Sequence, residues 1–389
     1  MGRLLWLGWL LLAIAAVPAV GMIYQWIGAL NDRRRFLGLG RMVDVGNGRR
    51  MYVSDMGREM RDGPTVIFES GIAATSQNWL RVQEVVAAYA RAVSYDRSGL
   101  GWSSPSDSER TPSNIARELR DMLRHAKIPG PYVLVGHSFG GLVVQRYAAE
   151  YPDEVLGVIL VDPMRVEDWP PVNEAQRAML ERGTRMAGFG IPVARFGLAR
   201  LATTSLLCRS GKLSRAFSRA TAKHGGLHVL ERITCEVGKM PREVWPIVAA
   251  HWSRPQFYRG LVAHLDAVPA TVAEMHGAQA VEGIPVVLMT PGSAQPLSGD
   301  DLRRIGPGAR QVIARSSGHW IHLDEPELVI EMIRGMVEQT ARTPVSVASE
   351  AVPRRTRSEA HLANARCEAP SSAPVPLTAS LRVDSSARL

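Results

Sequence analysis

The sequence predicts an α/β fold: a mostly parallel, doubly wound sheet with a helical cap, preceded by a transmembrane helix. Three observations carry this expectation. Short, continuous apolar runs alternate with runs of helical period through the middle of the chain, as strands buried on both faces and their connecting helices require. One gap in that alternation, about 120 residues between Asp162 and Val286, is too long for a crossover and reads as a mostly helical insertion. Leu4 to Leu30 contains no charged residue, which the soluble face of a surface helix would need.

In chain order, the first element is that apolar stretch. About 20 apolar residues cross a bilayer core, and Trp6, Trp9, Tyr24 and Trp26 lie towards its ends, where interfacial aromatics belong. Residues 1–32 are therefore expected to be a single-pass anchor. A cleaved signal peptide, with Ala-Val-Gly at 19–21 as its processing site and export as its consequence, is the alternative. A buried helix is the third reading. Arg33-Arg34-Arg35 favours a cytoplasmic body and Arg3 opposes it, so the side of the membrane stays open. Arg41–Val45 and Arg50–Ser54 flank Gly46-Asn47-Gly48 and read as a hairpin. Strands are then expected at 65–69, 92–96, 132–135, 155–162, 286–290 and 311–314. Helices are expected at 78–89, 112–126, 140–151 and 325–338. The core thus covers 40–162 and 284–340, and the cap 163–283. Residues 341–389, rich in Pro, Ser, Ala and Arg, read as a disordered tail.

Charge tests the partner classes. The 389 residues carry a net charge of +9, which invites a nucleic-acid reading. Residues 1–50 hold 7 basic and 2 acidic groups, and residues 341–389 hold 7 and 4. The 290 residues between are nearly neutral, with 32 basic against 31 acidic. A basic binding face on the body has little support, and no nucleic-acid partner is expected. Three scattered cysteines exclude a disulfide scaffold and a CxxC zinc site. Neither a metal nor a cofactor is expected.

The run Tyr132–Val135 leads into Gly136-His137-Ser138-Phe139-Gly140 and then a helical period. This is G-x-S-x-G on a strand–turn–helix. A sharp turn lifts the serine Oγ off the sheet edge, and the glycines avoid collisions with the neighbouring strand and helix. The same turn aims the Phe139 N–H and the positive end of the new helix at a developing oxyanion.

The segment 131–152 (PYVLVGHSFGGLVVQRYAAEYP) resembles the nucleophile elbow of the α/β-hydrolase superfamily. YDRSGLGWS at 95–103 resembles its D-R-x-G-x-G-x-S loop, and GHWIHLDEP at 318–326 its catalytic-histidine loop. The resemblance spans roughly residues 40–340, and the cap and both ends match less specifically. It implies Ser138 as nucleophile and His319 as base, with His322 as the competing histidine. The other histidines default to packing or surface roles. For the acid, the usual turn after the penultimate strand, Pro291-Gly292, lacks a carboxylate. Asp300 and Asp301 follow later and also read as a helix N-cap pair. Asp162 ends the strand after the elbow helix, the position that haloalkane dehalogenases use, and is the expected acid. The resemblance implies Phe139 and Ile72 as oxyanion donors. Ser70-Gly71-Ile72 keeps the family's Gly and lacks its His. Arg97 reads as a structural loop residue.

These residues imply a serine hydrolase, most simply an esterase working through an acyl-enzyme on an apolar small-molecule ester. Haloalkane dehalogenases and epoxide hydrolases carry Asp where Ser138 stands and are disfavoured. Lactonase, amidase or peptidase, thioesterase and C–C hydrolase activities use the same triad. A non-catalytic, membrane-tethered binding protein is the alternative from another class. Met164, Trp169, Met179, Met186, Phe189, Trp245, Trp252 and Phe257 offer apolar lining for a pocket, or simply a helical core. Oligomeric state is not legible.

Overall fold

A computed structural model describes residues 2–58, 63–168, 173–208, 237–276, 278 and 280–342. Helix α1 (Gly2–Phe36) leads into the hairpin β1 (Arg41–Asp44) and β2 (Arg50–Met56), turned by Gly46, Asn47 and Gly48, all at positive φ. Then follow β3 (Thr65–Glu69), α2 (Leu80–Val86), β4 (Ala92–Tyr95), α3 (Pro112–His125), β5 (Tyr132–His137), α4 (Phe139–Glu150) and β6 (Val155–Val161). After β6 come α5 (Glu174–Arg195), α6 (Leu198–Cys208), α7 (Trp245–Trp252), α8 (Pro255–Asp266) and α9 (Val268–His276). The sheet resumes with β7 (Val286–Pro291), and α10 (Gly299–Ile305), β8 (Arg310–Ala314), α11 (Ile321–Asp324) and α12 (Pro326–Arg342) complete the described chain.

The strands form one sheet in the order β1-β2-β4-β3-β5-β6-β7-β8. The β1–β2 and β2–β4 pairs are antiparallel and the others parallel. Alternation along each parallel strand splits its side chains between two cores. Val66 and Phe68 pack with Trp79, Val86, Val329 and Ile333 on one face. Ile67 packs with Ile115, Leu119, Val143 and Tyr147 on the other. Both faces are covered, so both must be apolar, which is why these strands read as continuous hydrophobic runs. The C-terminal ends of β3, β5 and β6 therefore meet at one edge, where their following loops converge.

The helices between β6 and β7 rest on one another and on that edge. Asn173 caps α5 through a reciprocal pair with Gln176, at 2.9 and 3.2 Å. Helix α8 lies against α5 so closely that a Cβ on Gly190 would fall 2.0 Å from the Tyr258 ring. On its other side α8 reaches the core: a Cβ on Gly260 would come within 2.7 Å of the Gly99 carbonyl oxygen.

The stretch expected to be a membrane anchor is helical, within α1. Among the described residues no helix is long and apolar enough to cross a membrane. The C-terminal part of α1 makes protein contacts. Gln25 is buried and accepts from Arg200 Nε at 2.9 Å, and Arg200 Nη1 donates to Asp32 at 2.7 Å. Gly21 lies under the Phe196 carbonyl and Tyr24 beside Gly197. The expected disordered tail lies outside the described residues beyond Arg342, where α12 ends.

Candidate active site

β5 ends at His137, and Ser138 turns the chain into α4 with φ 53° and ψ −121°. A non-glycine residue at such φ stores about 1–3 kcal/mol of strain and persists only where its surroundings enforce it. Here they do. Ser138 N–H donates to Val161 O at 3.1 Å, and Ser138 O accepts from Gly141 N–H at 2.9 Å and Met164 N–H at 3.0 Å. The glycines act as the motif requires. A Cβ on Gly136 would lie 2.5 Å from Gly140 O, and one on Gly140 would lie 2.5 Å from Ser70 O. Gly141 closes the packing: its Cβ would fall 2.6 Å from the Pro163 ring.

Asp162 follows β6 and is also left-handed, at φ 42°, with its N–H on Met289 O at 2.8 Å. That turn directs its carboxylate to His319, on the loop between β8 and α11. His319 Nδ1 lies 2.6 Å from Asp162 Oδ2. With the carboxylate accepting, Nδ1 carries the proton and Nε2 is left as the acceptor. The His319 side chain is 44% exposed and that of Asp162 23%, so the imidazole is accessible while its partner is sheltered.

The remaining histidines divide clearly. His322 is fully buried against Trp79, ring centroids 4.4 Å apart, and burial pushes its pKa down to about 3. His137 is buried, and its Nε2 sits 2.9 Å from the His319 carbonyl oxygen, so it donates there. Burial first, then His322 and His319, hold it far below the ordinary histidine range and therefore neutral. His137 joins the elbow to the histidine loop, a role that no local sequence pattern announces.

Asp300 and Asp301 are elsewhere employed. They begin α10, where Asp301 accepts from Ser298 Oγ at 2.7 Å and Asp300 pairs with Arg303. Asp301 does share with Asp162 the wall of a cavity of about 160 Å³, between Leu142, Met164 and Met275. Ser138 and His319 do not line that cavity.

The two expected oxyanion residues are brought beside the nucleophile. Phe139 opens α4, whose first N–H groups have no partner within the helix. Gly71-Ile72 follows β3, and a Cβ on Gly71 would be 3.5 Å from Ser138 Cβ. The 95–103 loop supports this segment from below. Asp96 Oδ1 accepts from Ser76 N–H and Oγ–H at 3.0 and 2.8 Å, and Asp96 Oδ2 accepts from Trp102 N–H at 3.0 Å. Gly101 is needed because a Cβ there would lie 2.0 Å from Asp96 Oδ2.

The expected apolar lining is only partly present. Trp245 and Trp252 pack with Val244 and Leu323, and Met164 packs at three core edges. Met179, Met186 and Phe189 face outward, Phe189 at 68% exposure. At 54% and 56% exposure, Met179 and Met186 are likewise open to solvent, so none of the three lines an internal pocket. Trp169 lies outside the described residues.

Residues 64–200 match the family model described as alpha/beta hydrolase fold. Among curated proteins, the chain is 30% identical over 106 residues to YqjL of Bacillus subtilis (strain 168), covering 27% of this chain and 42% of that one. It is 27% identical over 129 residues to a (lyso)-N-acylphosphatidylethanolamine lipase of Bos taurus, covering 32% and 37%. The chain thus spans less than half the length of these relatives. Among solved structures it is similar to Cfl2 from Burkholderia cenocepacia, with a TM-score of 0.56 at 19% identity over 77% of this chain and 95% of that one. It is also similar to the epoxide hydrolase CorEH, with a TM-score of 0.53 at 16% identity over 76% and 97%. At such identities the likeness is one of fold.

Proposed function

From the alpha/beta hydrolase fold that residues 64–200 match, we propose that the protein is a serine hydrolase cleaving apolar carboxylic esters through an acyl-enzyme. The observation that carries this reading is the 2.6 Å Asp162–His319 contact beside a left-handed Ser138. In the first half-reaction Ser138 Oγ attacks the ester carbon as its proton passes to His319 Nε2. The negative charge on the former carbonyl oxygen is met by the Phe139 and Ile72 N–H groups. Collapse breaks the carbon–oxygen bond, and His319 returns the proton to the leaving alkoxide. Water then repeats the sequence on the acyl-serine and releases the acid. Asp162 holds the imidazole in one tautomer and stabilises its cation. Opening an epoxide or displacing a halide through an alkyl-enzyme uses a carboxylate nucleophile, and the residue here is Ser138.

A fluorophosphonate probe tests the assignment. Wild type should be labelled on Ser138 and Ser138→Ala should not. Well-folded wild type that resists the probe would overturn the reading. A p-nitrophenyl ester series of increasing acyl length then measures the acyl pocket.

We further infer that the protein works at a membrane, reached through α1. Val20, Ile23, Trp26 and Ile27 of α1 are exposed, and Arg33-Arg34-Arg35 follows them. Phe189, Leu198 and Leu201 are exposed on α5 and α6, which pack against the same helix. Exposed apolar side chains on packed helices, followed by arginines, are the pattern that an anionic lipid face attracts.

A further inference from the structure

An oxyanion donor stabilises charge only if its N–H points at the oxygen, so whatever fixes the peptide plane matters as much as the donor. One side chain touches both halves of the expected hole. Arg97 follows β4, with its side chain 1% exposed. Its Nη2 donates to the Gly71 carbonyl, and its guanidinium carbon lies 5.1 Å from the centroid of the Phe139 ring. The Gly71 carbonyl belongs to the same peptide unit as the Ile72 N–H. In a planar trans peptide these two groups point in opposite directions. Anchoring the carbonyl on Arg97 therefore turns the Ile72 N–H away from Arg97.

We propose that Arg97 is the positioning residue of the oxyanion hole, holding the Gly71–Ile72 peptide in the orientation that presents the Ile72 N–H to the substrate oxygen. The proposal rests on Ser138 being the nucleophile.

Three further observations support it. Gly71 packs against the elbow: a Cβ there would be 3.0 Å from His137 Nδ1. Rotation of the peptide plane would exchange N–H for carbonyl. The other donor on the same carbonyl, Ala74 N–H, is long at 3.2 Å. Fold stability explains Arg97 poorly. Its ion-pair partner is Glu69, with Nε 3.5 Å from Oε1, and Arg97 Nε and Nη1 have no hydrogen-bond acceptor among the described residues. A buried, under-satisfied ion pair contributes little net stability, because desolvation offsets the attraction.

The test compares Arg97→Lys, Arg97→Met, Glu69→Gln and Glu69→Gln/Arg97→Met on a p-nitrophenyl ester. The double variant leaves no buried charge unpaired and is read against Glu69→Gln alone, so it serves if Arg97→Met fails to fold. Removing Arg97 should lower kcat about 100-fold, the low end for loss of an oxyanion donor, with KM changed less than about threefold. The inhibition constant of a trifluoromethyl ketone, whose serine adduct carries the oxyanion, should rise by the same factor. Affinity for the acid product should not move. Arg97→Lys should recover part of kcat, since an ammonium still donates to one carbonyl but lacks the planar fork. A folded variant with kcat within about threefold of its reference, or with an unchanged ketone constant, would overturn the proposal. If Ser138 is not the nucleophile, wild type itself will show no turnover that Ser138→Ala abolishes, which separates the two failures.

Discussion

Asp162 is asked to do two things at one position: end a buried strand and aim a carboxylate at a loop 157 residues further on. Its left-handed backbone, followed at once by Pro163, makes both possible. Asp162→Asn keeps the shape but removes the charge that fixes the His319 tautomer, so kcat should fall by about 10³–10⁴-fold. Asp300→Asn and Asp301→Asn, which lose only partners on α10, should stay near wild type. A reversal of that order in steady-state assays would move the acid to α10. The placement of Ser138, His319 and Asp162 was legible because each sits at a punctuation point: a glycine-flanked turn, a Gly-His loop, a strand end before proline. Arg97 could be read only as a structural loop residue, without its partner. A long side chain reaching a loop 26 residues upstream leaves no trace in local spacing. The same holds for His137, whose carbonyl partner is 182 residues away.

The central strands were legible to within a few residues because burial on both faces imposes an unbroken apolar run. Pro112 marks the start of α3 where the helix was expected, whereas α2 is shorter than the expected 78–89. The insertion was less legible. Helical period identifies an apolar stripe without saying what covers it, so Met179, Met186 and Phe189 suggested a pocket and stand outside. Helix α1 poses the same ambiguity in stronger form, since apolar side chains suit lipid and protein alike. If α1 carries the protein to a membrane, the full chain should float with anionic lipid vesicles. A full chain carrying Ile23→Ser, Trp26→Ser and Ile27→Ser loses exposed apolar side chains on which the reading rests, and should bind at least about tenfold more weakly, given about 0.8 kcal/mol per buried methylene. A full chain that stays in the aqueous fraction would refute the membrane reading.

Across the whole molecule, His137, His251, His264 and His322 are buried, and burial is the leading cause that holds each below the ordinary value of 6.5. His251 and His322 fall to about 3. The unfolded chain protonates these groups near 6.5 and the folded chain does not. The stability they allow is therefore complete above that value and lost as pH falls towards their folded pKa. Each contributes a slope of up to about 1.4 kcal/mol per pH unit. Glu69 and Asp96, raised by burial, act in the opposite sense, but two carboxylates do not cancel four imidazoles. The melting temperature should be flat from about pH 8 to 7 and drop steeply below about 6. A melting temperature unchanged between pH 7 and 5 would contradict this burial pattern.

Ser138 and Asp162 belong to a single β5–α4–β6 unit, and the chain leaves for the insertion directly after the acid, at Pro163. The proposed nucleophile and its proposed orienting carboxylate thus lie in one β–α–β unit, ahead of the insertion. Residues 164–283 contain none of the proposed reacting groups, so exchanging them for a foreign segment would leave Ser138, Asp162 and His319 in the sequence of the core. If Asp162 is the acid, the 292–309 connection supplies no carboxylate and can be varied as well, apart from Gly292, where a Cβ would lie 2.3 Å from the Arg315 carbonyl oxygen. For directed evolution this makes the chain a two-cassette scaffold, in which lid and loop can be shuffled as separate libraries around an unaltered catalytic frame.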